Sequence, residues 1–222
     1  MEILSPIQKF ILQSFSPVED SDQFYLTGGS ALAYFYLKHR KSNDLDFFTE
    51  IQEIVIPFSQ SLGERLKVQG LSVERQRGVH TFVELLVKQG AEATIVQLAQ
   101  DAAFRFDTPR EFPEFPGLRV DSLVDIASNK LLALFGRALL RDFIDVYFLV
   151  GEAGFSREDL IAMSMKKDPG FDFYWLGVAF ERIKSFDKDS PEMLMPVKEV
   201  KFQELLNFFE DWRKAISQKF NS

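Results

Sequence analysis

The segment Asn43-Asp44-Leu45-Asp46-Phe47-Phe48 constrains the fold of this chain more than any other stretch. A strand points alternate side chains to the same side. Asp44 and Asp46 therefore share one face, while Leu45 and Phe47 enter the core. Carboxylates side by side repel each other, and a bound divalent cation relieves that repulsion. The strand must then carry one wet face and one dry face. The competing reading of the pair is an exposed strand face or an Asx-turn.

Upstream, Phe24-Tyr25-Leu26 reads as a strand that ends at Thr27-Gly28-Gly29, and Ser30 through Leu37 reads as a helix. Gly28 and Gly29 allow a tight turn and close backbone approach to a ligand. Ser30 can cap the helix or touch a phosphate oxygen. An ordinary strand–turn–helix connection also contains glycine, and no lysine follows as a P-loop requires. Taken together, glycine turn and paired carboxylates point to metal-dependent chemistry on a nucleoside triphosphate.

The remaining chain falls into a mixed part and a helical part. Residues 3–15 have the spacing of an amphipathic helix, with Pro6 tolerated in its first turn. A helix is expected over 54–69, and strands over 71–75, 81–87 and 93–98, separated by glycines. Residues 105–118, with Pro109, Pro113, Pro116 and Gly117, read as a loop that Phe104, Phe106, Phe112 and Phe115 pack down. Helices are expected from Asp121 or Ser122 to Phe135, ended by Gly136, then over 139–150, from Arg157 behind a Ser156 cap, over 172–186 and over 198–214. This order suggests an α/β domain, residues 1–118, followed by a helical domain, residues 119–222.

Composition narrows the chemistry. Cysteine is absent and His39 and His80 are the only histidines, which excludes disulfides, thiolate sites and a multi-histidine zinc site. The opening Met-Glu-Ile-Leu-Ser-Pro lacks a signal-peptide pattern, and no apolar run is long enough to span a bilayer, so a cytoplasmic protein without a membrane role is expected. The net charge of −7 argues against broad nucleic-acid binding and leaves room for local basic patches, for which His39-Arg40-Lys41 and Arg137 to Arg141 are the candidates. The 24 phenylalanines read as a Phe-packed core, part of which could meet a partner. Tyr174, Trp175 and Trp212 read as helix packing.

A second cluster comprises Lys130, Arg137, Arg141, Asp142 and Asp145. Spacings of seven and eleven bring Lys130, Arg137 and Arg141 near one face of an unbroken helix, which Gly136 puts in question. Such a cluster could clamp a triphosphate or form structural salt bridges. Arg40 could steer phosphate, or it could simply flank a helix end with His39.

Two stretches carry a resemblance. Phe24 through Ala33 followed by Arg40-Lys41-Ser42-Asn43-Asp44-Leu45-Asp46-Phe47-Phe48 resembles the opening motif of the AbiEii-type nucleotidyltransferases. Lys130 through Leu134, Arg137, Arg141-Asp142 and Asp145-Val146-Tyr147 resemble that family's later lysine and Arg-Asp motif. The resemblance implies an α+β nucleotidyltransferase fold, a small mixed sheet with flanking helices, followed by a helical C-terminal domain. It implies Gly29 and Ser30 on the phosphate side, in the turn that Gly28 opens, and Asp44 and Asp46 as carboxylates for Mg2+ or Mn2+. It further implies Lys130 on the nucleotide and Asp142 or Asp145 as the late catalytic or positioning aspartate. By their charge, Arg40, Arg137 and Arg141 are candidates for further nucleotide contacts.

The implied activity is metal-dependent transfer of a nucleoside monophosphate from NTP to a hydroxyl of tRNA-like RNA or of a protein. Members include toxins, so an antitoxin partner is a further expectation. One departure stands out. Many nucleotidyltransferases bring a third carboxylate from a later strand, here 93–98, where Gln97 occupies the expected position. Glu84, Glu92, Asp101, Asp142 or Asp145 could substitute. Without a substitute, the chain would be a catalytically degenerate binding module. A third possibility is transfer to a small antibiotic-like alcohol.

Overall fold

The computed structural model describes residues 2–101 and 104–220, the last two by backbone alone. Two compact units emerge: Met1–Tyr36 with Lys41–Leu123, and Leu37–Arg40 with Val124–Ser222. The fold is the expected α+β nucleotidyltransferase-like core of sheet and flanking helices, with a C-terminal helical region.

In the first unit, helix α1 (Pro6–Phe15) opens on a reciprocal cap. The Gln8 N–H donates to Ser5 Oγ at 3.3 Å, and the Ser5 N–H donates to Gln8 Oε1 at 2.9 Å. Strand β1 (Tyr25–Thr27) leads into α2 (Gly28–Ala31), which continues as a π-helical stretch over Leu32–Leu37. Then follow β2 (Asp44–Thr49), α3 (Val55–Val68), β3 (Ser72–Val79), β4 (Phe82–Gln89) and β5 (Glu92–Gln100). Two short strands, β6 (Arg110–Glu111) and β7 (Arg119–Val120), complete one seven-stranded sheet in the order β3-β4-β5-β2-β1-β7-β6. The sheet is mixed: β2 runs parallel to β5 and β1 parallel to β7, while the other pairs are antiparallel.

Period-two patterning decides the two faces of this sheet. Leu45, Phe47, Val83, Val96 and Leu98 are fully buried. Phe47 stacks on Phe15 of α1 with ring centroids 4.0 Å apart, and Phe24 stacks on Phe58 of α3 at 4.2 Å. Each such phenylalanine contributes roughly 1.5–3 kcal/mol of burial. The opposite face carries Asp44, Asp46 and Phe48, all half-buried.

The second unit contains α4 (Leu123–Arg137), α5 (Leu140–Gly151), α6 (Arg157–Lys167), α7 (Phe173–Glu181) and α8 (Phe202–Phe220). The α8 stripe Leu205, Phe209, Trp212 and Ile216 is buried at helical spacing. Phe209 contacts Phe143, Phe180 and Trp212, which joins α5, α7 and α8.

Several expectations need correction. The second helix begins at Gly28 rather than Ser30. Gly136 does not end α4; the chain turns one residue past Arg137, at Ala138, whose φ is +47°. Residues 105–118 are not all loop, because Arg110–Glu111 pairs with Arg119–Val120. Phe115 packs down as expected, whereas Phe104 is exposed. Helix α7 gives way to a 3-10 turn at Arg182, and α8 starts at Phe202, four residues later than expected. Tyr174 and Trp175 are exposed, so only Trp212 of the two tryptophans is core. Among the described residues no helix is long and apolar enough to cross a membrane.

Candidate functional site

Strand register sets the geometry around Asp46. Thr27 lies opposite Asp46 on one side and Gln97 on the other, and Glu84 lies opposite Gln97. These four residues form one row across β1, β2, β5 and β4. Gln97 Nε2 donates to Glu84 Oε2 at 2.9 Å. Residue 97 thus stands directly beside Asp46 and holds an amide, oriented by the carboxylate one strand further out. Asp44 Oδ1 accepts the Ser42 hydroxyl at 2.9 Å.

The turn at Gly28 closes over the same carboxylate. Gly28 has φ +69°, a conformation that L side chains rarely adopt, and a Cβ there would overlap Asp46 Oδ2. Glycine is required on both counts. Ser30 is fully buried, and its Oγ has no hydrogen-bond partner among the described residues. An orphaned buried hydroxyl of this kind is uncommon and calls for an explanation, such as an absent ligand.

In the second unit one carboxylate gathers three donors. Asp145, fully buried on α5, accepts from Arg40 Nε at 2.6 Å and Arg40 Nη2 at 2.8 Å. It also pairs with Lys130 Nζ at 2.8 Å and with His39 Nε2 at 2.7 Å. Burial alone would push the Asp145 carboxyl up, yet Arg40, Lys130 and His39 hold it well below the usual carboxylate range. Burial holds the His39 imidazole below its ordinary value, and this outweighs the upward pull of Asp145. A neutral His39 donating from Nε2 leaves Nδ1 as an acceptor, and Nδ1 is buried without a partner among the described residues.

The other late residues lie apart from that carboxylate's contacts. Asp142 accepts a bidentate pair from Arg137, 2.9 Å on each arm, and the Leu139 N–H at 3.2 Å. It caps α5 and closes the α4–α5 turn. Arg141 is half-buried on α5. Because α4 ends at Arg137, Lys130 and Arg141 sit on different helices, not on one unbroken face. Nor is His39-Arg40-Lys41 a basic surface patch: His39 and Arg40 are buried, at 0% and 1% exposure, and only Lys41 is exposed.

Sequence reasoning gave no role to a network around Thr27. The Thr27 hydroxyl donates to Asp121 Oδ2 at 2.6 Å, and Arg105 bridges Asp121 and Asp101. Arg105 also lies over the Tyr25 ring, 4.2 Å from its centroid. Thr27 and Asp121 are 94 positions apart, and no local pattern announces their contact. Asp121 appeared only as a possible cap of α4. No group of three or more His, Cys, Asp or Glu side chains able to hold a metal ion occurs among the described residues.

Comparison with known proteins follows the same outline. Residues 10–218 match the family model described as the nucleotidyl transferase AbiEii toxin of type IV toxin–antitoxin systems. An uncharacterized protein of Aquifex aeolicus, aq_aa25, is 29% identical over 180 residues, covering 78% of this chain and 80% of the relative. The crystal structure of a candidate nucleotidyltransferase from H. pylori superposes with a TM-score of 0.60 at 17% identity, over 98% of each chain. JHP933 from Helicobacter pylori gives a TM-score of 0.57 at 17% identity, over 95% of this chain and 89% of that one. At such identities these likenesses speak to the fold alone.

Proposed function

Because the chain belongs to the AbiEii nucleotidyl transferase toxin family of type IV toxin–antitoxin systems, we propose that it transfers a nucleoside monophosphate from NTP to a hydroxyl of a tRNA-like RNA or of a protein. In this reading the acceptor oxygen attacks the α-phosphorus, the bond to the bridging oxygen breaks, pyrophosphate leaves and the hydroxyl proton passes to solvent. The single observation that carries it is the meeting of Asp46 with the Gly28 turn, where only glycine fits over the carboxylate.

Asp44 and Asp46 are the residues that would hold Mg2+ or Mn2+. Among the described residues no third acid groups with them for a metal, and two carboxylates fit a cation that takes its remaining oxygens from phosphate and water. When bound, the metal offsets phosphate charge and favours in-line displacement. The Gly28–Ser30 turn brings backbone within reach of phosphate oxygens, and the unpartnered Ser30 hydroxyl can donate there. Lys130 matches the lysine that the family resemblance assigns to the nucleotide, and within the second unit Asp145 fixes its ammonium. A carboxylate held ionised by three donors has little appetite for a proton, so Asp145 positions rather than acts as base. Asp142 serves the α5 cap, with Arg137 as its partner. Family membership also implies an antitoxin as genetic partner.

The test is label transfer from α-labelled NTP in whole-cell lysate with Mg2+. Transfer by the wild type that disappears in Asp46→Ala supports the assignment, whereas transfer unchanged in Asp46→Ala refutes it. A second reading rests on Gln97, which puts an amide beside Asp46 where a third acid is expected. It makes the chain a nucleotide-binding module without turnover. Calorimetry that detects NTP binding in a protein with no label transfer would favour that reading.

A further inference from the structure

Hydrogen bonds from several elements converge on Asp121, which is fully buried. Its N–H donates to the Leu26 carbonyl at 2.8 Å. Its Oδ2 accepts the Thr27 hydroxyl at 2.6 Å. Its carbonyl accepts the Tyr36 hydroxyl at 2.6 Å. Its Oδ1 accepts from the Arg105 guanidinium, which Asp101 also holds. Burial pushes the Tyr36 phenol up to about 12, so it stays a donor at neutral pH.

These contacts bracket the glycine turn. Leu26 and Thr27 precede Gly28, and Tyr36 lies beyond it in the helical stretch that follows. Gly28 and Gly29 are the most permissive residues a backbone can contain, so the turn has little stiffness of its own. Thr27 is also the register partner of Asp46. A contact that fixes Thr27 therefore fixes the start of the turn and the strand beside the carboxylate. Functional groups hold productive geometry only when a supporting layer locks them.

We propose that Asp121, with Arg105 behind it, is a positioning residue for the NTP: through Thr27 it sets the Gly28–Ser30 turn against Asp46. The inference rests on reading that turn as the phosphate side of the site. Asp121 itself touches neither substrate nor metal in this scheme.

The experiment measures binding of each of the four NTPs with Mg2+ by calorimetry, label transfer kinetics and melting temperature. It compares wild type, Thr27→Val, Thr27→Ser and Asp121→Asn. Thr27→Val keeps shape and removes one charge-assisted bond; it is expected to weaken binding of the preferred NTP about tenfold and to lower kcat/KM at least as much. Thr27→Ser restores the hydroxyl and is expected to stay within about threefold of wild type. Asp121→Asn is expected to follow Thr27→Val, and if it fails to fold, the Thr27 pair decides the matter. Thr27→Val that melts earlier but binds NTP within twofold of wild type overturns the proposal, since a merely structural tie behaves that way. Thr27→Ser as weak as Thr27→Val overturns it too. A wild type that binds no NTP removes the reading of the site itself, a result distinct from a binding wild type with an indifferent Thr27→Val.

Discussion

Asp46 and Asp145 are both aspartates flanked by apolar residues, and their surroundings could hardly differ more. Asp46 lies half-buried on an open sheet face, with Asp44 two residues away and a glycine turn folded over one of its oxygens. Asp145 is fully buried, and three donor side chains surround it. Two neighbouring carboxylates on one half-buried strand face suit a cation from outside. A carboxylate ringed by Arg40, Lys130 and His39 has its charge balanced from within. The contrast separates the carboxylate proposed to meet a ligand from one that holds other side chains, and on that proposal loss of each should register in a different measurement.

The largest expected effect is on stability, at Asp145. Asp145→Asn takes from the buried Arg40 and Lys130 the carboxylate they share and should cost about 3–5 kcal/mol in denaturant unfolding. A loss under 1 kcal/mol would erase the contrast. Next comes Asp46→Asn, which should lower transfer about 100-fold or more while leaving the denaturation midpoint close to wild type. If the midpoint falls as far as in Asp145→Asn, Asp46 is a structural residue after all. Gly28→Ala is smaller in stability, about 1–2 kcal/mol for a side chain in the left-handed region, but it should also displace Asp46 and lower transfer; thermal melts and label transfer check both parts.

The contrast was partly legible in the sequence. Asp44-Leu45-Asp46-Phe47 declares its two faces because strand periodicity is two and every second residue is apolar. The cluster around Asp145 was less legible. Lys130 and Asp145 stood in one candidate cluster, but nothing in their spacing paired them. Arg40 read as surface because it stands in a charged run, yet its partner is 105 positions away. Gly136 was the obvious stop for α4, but packing carries the helix past it and places the left-handed turn on Ala138, a residue with no preference for it. The Asp121 contacts were invisible for the same reason as those of Arg40: they are made by tertiary structure, and Thr27 and Asp121 each look ordinary in their own neighbourhoods.

The smallest expected effect concerns pH. His39 is held neutral below its ordinary value near 6.5. The unfolded chain therefore binds a proton that the folded one refuses as pH falls below that value. Stability should decline from about pH 6.5 downward until the folded-state value is reached, with a slope of at most one proton, about 1.4 kcal/mol per pH unit. Asp145 acts in the same direction at lower pH: its value is held well below the ordinary 3.8, so its contribution is complete above that value and is lost as pH falls from there toward the folded-state value. Urea unfolding between pH 5 and 7.5 should show the decline in wild type and a flatter profile in His39→Gln. The exposed His80 is the sole other histidine, and an equal flattening in His80→Gln would contradict the assignment.

The most direct measurement of the central claim uses two labels. Purified protein is incubated with lysate RNA and protein, Mg2+ and NTP labelled at either the α- or the γ-phosphate, alongside Asp46→Ala. Nucleotidyl transfer predicts that α-label enters a macromolecule while γ-label is released as pyrophosphate, and that Asp46→Ala does neither. Incorporation of γ-label, or α-label transfer undiminished in Asp46→Ala, would contradict it.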